Sequence, residues 1–369
     1  MDFLPEPIRT IVAFVVVLGV LVFFHELGHY LAARWRGIHV ERFSVGFGRA
    51  IANWTDRRGT EWRVGWLPLG GYVKLHGQET PEDASPEVRA SWRPGETFHE
   101  KPVSDRAIVV AAGPFANFLL AALMFGGLYM TVGKPSATTT VSTVQESSAA
   151  ARAGLLPGDR ILALDGQAVT RFEEVQRHIQ PRAGQTVTLT IEREGRERQV
   201  QAVPEARQNG ERTVGVLGVG AGAAEFRRLD PFSAMWGGVT QTADITVQTL
   251  AAVWQMIAGG RGAEELGGPL RIAQMSGQVA EMGVSALVSF MAVLSVNLAL
   301  INLFPIPVLD GGHLMFYAAE AIRGRPLPPR AQEMGYRAGF ALLITLFVFA
   351  TWNDLSQFGL FSWVAGLFS

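Results

Sequence analysis

Residues 11–30 read Ile11-Val-Ala-Phe-Val-Val-Val-Leu-Gly-Val-Leu-Val-Phe-Phe-His25-Glu26-Leu27-Gly28-His29-Tyr30. The run is apolar up to Phe24. With its flanks, Ile8–Ala33, it is long enough to cross a hydrocarbon layer of roughly 30 Å, which takes about 20 apolar residues as helix. A helix is required there because every backbone amide in lipid must find its partner within its own segment. Against that background His25, Glu26 and His29 are costly, since an unpaired charge near mid-bilayer costs about 2.5–3.5 kcal/mol on insertion scales.

Those residues form H-E-x-x-H. Positions i and i+4 share a helix face, so both imidazoles can converge on one metal with Glu26 beside it. One zinc ion accepts two imidazoles and a carboxylate and leaves a fourth position for water. Glu26 then serves as general base, taking the water's proton during attack on a carbonyl and returning it to the leaving amine. A chance match on a solvated helix surface is the plain alternative, and it does not explain why ionisable groups persist within a span.

Of the 369 residues, 48% are hydrophobic and 18% charged, which favours the membrane class. The formal net charge is −1 with no long basic run, so nucleic acid is not expected as a partner; the lipid bilayer is. Cysteine is absent, leaving His and carboxylates as the strong metal ligands. Further spans are expected at Ala107–Val132, Val284–Phe304 and Gly335–Trp352. Met1 to Arg9 carries Asp2 and Glu6 against a single Arg9, so no removable signal peptide is expected. Arg residues concentrate near the ends of the loop Arg34 to Arg106 and recur at Arg323, Arg325 and Arg330. The positive-inside rule puts both loops in the cytoplasm, and the termini and the large middle loop outside.

Between Val40 and Leu75 short apolar runs alternate with turn residues, and Asp56-Arg-Arg-Gly has hairpin-turn chemistry, predicting a small antiparallel sheet. Its Trp54, Trp62 and Trp66 suit either a membrane interface or ordinary aromatic packing. Residues 77–104, rich in Pro, Glu and Ser, are expected to be an exposed, partly mobile link. From Thr138 to about Gly220 the pattern predicts a compact α+β domain. Its expected strands lie at Thr138–Val144, Val187–Arg193 and Arg198–Val203, and its helices at Ser148–Ala153 and Phe172–Ile179. Asp230 to Ala258 reads as an amphipathic helix on the bilayer surface. The expected divisions are 1–133, 134–225, 226–282 (interfacial helix and linker) and 283–369.

A third ligand must be an acid at membrane depth. Asp310 in Asn302-Leu-Phe-Pro-Ile-Pro-Val-Leu-Asp310-Gly-Gly-His313 follows the third span, where Pro305 and Pro307 break the helix and the chain must line a cavity. Asp310 as a helix N-cap, and His313 as a rival ligand, remain alternatives.

HELGH in the first span, Gly113-Pro-Phe-Ala-Asn117 in the second and Asn302…Leu309-Asp-Gly-Gly312 after the third resemble the site-2 protease family of intramembrane zinc metalloproteases. Phe43-Ser-Val-Gly-Phe-Gly48, Pro68-Leu-Gly-Gly-Tyr-Val-Lys74 and Gly268-Pro-Leu-Arg-Ile-Ala273 extend the likeness. The resemblance implies a multi-span α-helical membrane protein of the bacterial inner membrane. It would have four transmembrane helices, a membrane-associated β-hairpin element, and an inserted periplasmic PDZ-like domain. Zinc would be held by His25, His29 and Asp310, with Glu26 as base and the active site towards the cytoplasm. Substrate contacts would come from Gly70, Gly71, Tyr72 and Val73 of a re-entrant β-element, from Asn302, and from the Pro305 and Pro307 segment. The substrates would be single-span membrane proteins, such as anti-sigma factors or remnant signal peptides, cut in regulated intramembrane proteolysis. The outside domain resembles a PDZ domain through Ala153-Gly-Leu-Leu-Pro-Gly-Asp159 and Ile161…Asp165-Gly166, which implies binding of a peptide C-terminus. The family's best-known members have two such domains in tandem; only one is visible here. A zinc-dependent transporter or sensor is the competing reading, but the repeated, broken helices of a carrier are not seen.

Overall fold

The structure, a computed structural model, describes residues 5–78, 84–209, 212–222, 224–259 and 267–357. The chain divides into two compact units, one of Met1–Leu128 with Phe232–Ser369 and one of Tyr129–Pro231.

The first unit opens with helix α1 (Glu6–Trp35), then strands β1 (Val40–Thr55) and β2 (Glu61–Leu75), a short helix α2 (Pro86–Ala90), and α3 (Val103–Thr131), which runs to the unit's edge. Among the described residues four helices are long and apolar enough to cross a membrane: α1, α3, and two later ones, Val284–Leu303 and Pro329–Gln357. They coincide with the four expected spans, the last starting earlier than predicted because polar residues 329–334 continue the helix.

The expected sheet consists of two long strands rather than three short runs. Arg42 to Val45 of β1 pair with both Glu61–Val64 and Gly71–Lys74 of β2, through repeated bulges, and the turn at Asp56 joins the strands. Beneath this sheet Tyr30, Phe43 and Trp62 pack ring to ring, at centroid distances of 4.5 Å for Phe43 and Trp62 and 5.3 Å for Tyr30 and Trp62. Trp62 therefore belongs to the core, its Nε1 donating to Asp56 Oδ2, while Ile51, Trp54 and Trp66 stand exposed. The link expected to be mobile is docked on the sheet. Phe98 N donates to His76 O at 2.7 Å, His39 N to Glu96 O at 3.0 Å, and Thr97 and Phe98 are buried. Residues 79–83 lie outside the described residues.

The second unit builds a four-stranded sheet in the order β6-β5-β7-β8, from β5 (Arg160–Leu164), β6 (Gln167–Ala168), β7 (Val187–Arg193) and β8 (Arg196–Ala202). Val187, Leu189 and Ile191 alternate inward from β7 and meet Val175 and Ile179 of the amphipathic helix α5 (Phe172–Ile179). Helix α4 (Ala149–Arg152) is capped by Ser148. Three further antiparallel pairs complete the unit. They join β3 (Lys134–Ala137) to β12 (Ala224–Arg227), β4 (Val141–Val144) to β11 (Val219–Ala221), and β9 (Glu205–Asn209) to β10 (Arg212–Val216). The last pair was not expected, because its polar run Glu205-Ala-Arg-Gln-Asn lacks apolar alternation.

The first unit resumes with α6 (Pro231–Ile257), a helix over the segment expected as one, with small residues on its buried face. Ala234, Gly237, Gly238 and Thr242 are its buried residues, whereas Phe232, Trp236 and Trp254 are exposed. Small residues let backbones approach closely. Where a linker was expected, α7 (Pro269–Glu281) forms, because its N-terminal amides find a remote cap. Asp354 Oδ1 and Oδ2 accept from Gly268 N and Arg271 N at 2.8 and 3.1 Å. Helices α8 (Val284–Leu303), α9 (Asp310–Arg323) and α10 (Pro329–Gln357), which carries Asp354, finish the unit.

Candidate metal centre

Helical periodicity on α1 brings His25 and His29 together, their rings perpendicular with centroids 4.8 Å apart. Asp310 arrives from the first turn of α9. The N-cap of that helix is Leu309, without a side-chain cap bond, so Asp310 is not the cap. Its carboxylate turns instead towards α1: Oδ2 lies 3.2 Å from His25 Nε2 and 3.5 Å from His29 Nε2, while the two Nε2 atoms are 3.3 Å apart. Two residues earlier Val308 has φ +99°, a conformation that a β-branched side chain resists. Such strain persists only where the surroundings over-determine it, and here it aims the acid.

The three atoms fit zinc. Ligand bonds of about 2.0–2.1 Å at tetrahedral angles put neighbouring donor atoms about 3.3–3.4 Å apart, which the observed triangle matches. Asp310 Oδ2 is buried without a hydrogen-bond partner, a state that a cation would relieve. His29 Nδ1 donates to the Val109 carbonyl at 2.9 Å, leaving the Nε2 lone pair directed inward. Among the described residues, His25, His29 and Asp310 are the group placed to hold a metal ion.

Gly113 on α3 faces the His29 ring so closely that a Cβ there would collide with Nε2 and lie 2.9 Å from Cδ2. Gly71 on β2 approaches Glu26 in the same way, a Cβ there falling 2.9 Å from Glu26 Cγ. Glu26 is buried and lies against β2 at Gly71.

A cavity of about 1360 Å³ opens onto this centre, and Gly71, Tyr72, Val73, Asn302 and His313 line it with the three ligands and Glu26. Asn302 also donates from Nδ2 to Leu298 O of its own helix at 3.0 Å. Gly70, Pro305 and Pro307 are not among the lining residues. Gly70 packs on the Phe47 ring, and the Pro307 carbonyl abuts Gly339. His313 stands apart from the ligand triangle, with Nδ1 at 3.2 Å from Tyr336 Oη. Towards the loops the cavity holds a half-buried ion pair, Arg106 Nη2 to Glu320 Oε1 at 2.6 Å, with the guanidinium 5.0 Å above the Tyr317 ring. Sequence reasoning passed over this pair. Arg106 reads as one more basic loop residue, and nothing local ties it to an acid on α9.

The family model described as Peptidase family M50 matches residues 13–346. A protein of Rhizobium meliloti whose name describes it as a zinc metalloprotease is 44% identical over 360 residues, covering 94% of this chain and 96% of its own. Metalloprotease MmpA of Caulobacter vibrioides is 37% identical, over 97% of this chain and 98% of its own. Regulator of sigma-E protease RseP of Escherichia coli is 31% identical, over 94% and 98%. Among solved structures, the PDZ domain of an SdrC-like protein from Listeria innocua aligns with 24% of this chain and 99% of its own, at 21% identity and a TM-score of 0.22.

Proposed function

The chain belongs to peptidase family M50, the site-2 proteases, and is an intramembrane zinc metalloprotease; from that premise we propose how its residues divide the work and what they cut. The triangle of His25 Nε2, His29 Nε2 and Asp310 Oδ2, with edges of 3.2 to 3.5 Å beside a buried Glu26, carries this reading. His25, His29 and Asp310 hold the zinc. When bound, zinc supplies a Lewis acid that polarises a carbonyl and acidifies water. Glu26 takes the proton from the attacking water on its carboxylate and delivers it to the nitrogen of the departing chain.

A transmembrane helix hides its carbonyls in its own hydrogen bonds, so the substrate must be opened into extended chain before attack. Gly71, Tyr72 and Val73 offer a strand on the cavity wall, and backbone pairing along it holds an unwound segment in register. Asn302 donates to and accepts from the same segment. Pro305, Pro307 and Gly70 act behind this surface, shaping the walls.

The substrates are single-span membrane proteins whose outside portion has already been trimmed, anti-sigma factors or remnant signal peptides among them. The protein is a multi-pass protein of the bacterial inner membrane. The Arg-rich loops support an orientation with the zinc towards the cytoplasm and the second unit in the periplasm. That unit, PDZ-like, reads a peptide C-terminus by strand addition and admits only trimmed chains.

The direct test is Glu26→Gln, assayed on a tagged single-span substrate in detergent. Zinc content and folding are expected to be unchanged while cleavage falls by roughly 10²–10⁴-fold, the usual worth of a general base. Full cleavage by that variant would remove Glu26 from the role.

A further inference from the structure

His25 and His29 differ in what stands behind them. Behind His29 is the Val109 carbonyl, which can only accept, so the ring carries its proton on Nδ1 and its lone pair on Nε2. Behind His25 is the side chain of Asn117, fully buried on α3, with Nδ2 3.3 Å from His25 Nδ1. An amide nitrogen in that place donates to Nδ1 and leaves the ring proton on Nε2, aimed at His29 and Asp310. A ring so protonated has no lone pair for a cation.

The other half of the same carboxamide resolves the conflict. Asn117 Oδ1 is buried and has no hydrogen-bond partner. The oxygen and nitrogen of a carboxamide are nearly the same size, and a half-turn of the group exchanges them without displacing a neighbour. After that turn Oδ1 accepts from His25 Nδ1–H, and both imidazoles present Nε2 lone pairs to one point. The rest of Asn117 is fixed independently: its backbone carbonyl accepts from Ser295 Oγ on α8 at 2.8 Å, and Ser295 is itself fully buried. That bond ties α3 to α8 whatever side chain residue 117 carries.

We infer that Asn117 is a positioning residue for the metal, its side-chain oxygen holding His25 in the tautomer that binds zinc. The inference rests on the proposed ligand set. It also differs from an amide that merely bonds two helices, because it requires an acceptor at this position and not a donor. Ionised aspartate is the same shape as asparagine and accepts only, whereas leucine fills the space and does neither.

The test measures zinc dissociation constants by chelator competition, on full-length protein in detergent, for the native chain, Asn117→Leu, Asn117→Asp and His25→Ala. Thermal unfolding of each zinc-free protein is measured alongside. Asn117→Leu is expected to weaken zinc about 10- to 100-fold, the usual effect of losing a hydrogen bond behind a ligating histidine, with the zinc-free melting temperature little changed. Asn117→Asp is expected to bind within about threefold of native, and to return the visible spectrum of the cobalt-substituted protein to the native form. Native-like zinc binding in Asn117→Leu, or binding in Asn117→Asp as weak as in Asn117→Leu, overturns the inference. Unchanged zinc binding in His25→Ala would instead overturn the ligand set beneath it.

Discussion

At the scale of single residues the centre depends as much on missing atoms as on present ones. Gly113 contributes no side chain, yet its bare Cα is what leaves room for the His29 ring against α3. Gly113→Ala is therefore expected to push that ring aside and weaken zinc at least tenfold, within the range seen when a ligating histidine loses its support. Helix content by circular dichroism should stay native, and a zinc affinity that also stayed native would refute the steric account. The convergence of His25, His29 and Asp310 was legible. Two histidines at helical spacing announce a shared face, and an acid after a broken span has few other uses. The supports were not. Val109 acts through its carbonyl, which every residue possesses, and the positive φ of Val308 is imposed by tertiary packing and not by its own preference. Asn117 was visible as an in-membrane amide, but its nearness to His25 appears only once α1 and α3 are side by side.

Individual elements show how much stability is arranged from a distance. Helix α7 lacks a capping side chain at Gly268 and borrows Asp354 from α10, a residue only 1% exposed. Asp354→Ala leaves two backbone amides unanswered and is expected to cost about 1–2 kcal/mol, as lost caps do. Differential scanning of the purified protein would show it, and an unchanged melt would mean that water replaces the carboxylate. In the second unit the Arg193 guanidinium grips Asp159 at 2.6 Å and holds its carboxyl below the usual range. The backbone amide of Thr170, helped by Arg171, pulls Glu174 down to about 2. Carboxyls depressed by folding stabilise the fold above their unfolded values and lose that contribution as pH falls through their folded ones. The second unit should accordingly weaken from about pH 4.5 towards about pH 2. Asp159→Asn should start less stable and show a shallower acid decline; an equally steep one would place the acid sensitivity elsewhere. Long apolar runs made the spans readable, and strong periodicity did the same for β7 and α5. Helix α7 and the β9–β10 pair escaped because a remote cap and a partner strand, not local pattern, hold them.

Taken as a whole, the molecule keeps chemistry and the α+β unit in separate cores. The second unit closes its own apolar interior from Val141 to Leu217, and the group placed to hold a metal among the described residues, His25, His29 and Asp310, lies wholly in the first unit. Stripping the metal with a chelator should abolish cleavage while amide exchange along Val187–Arg193 stays as slow as in the loaded protein. Faster exchange there would show that the two cores are energetically joined. The same division explains what composition could and could not reveal: apolar spans and a loop of ordinary soluble composition mark two materials, but not the docking of residues 84–104 on the sheet.

The proposed zinc cage draws His25 and His29 from α1 and Asp310 from α9, beyond the third span. A ribosome must therefore complete most of the polypeptide, and the insertion machinery must seat at least three spans, before any cutting centre exists. Nascent or half-inserted copies therefore lack the proposed cutting centre, so the order of synthesis delays it as a removable pro-segment does in many secreted hydrolases.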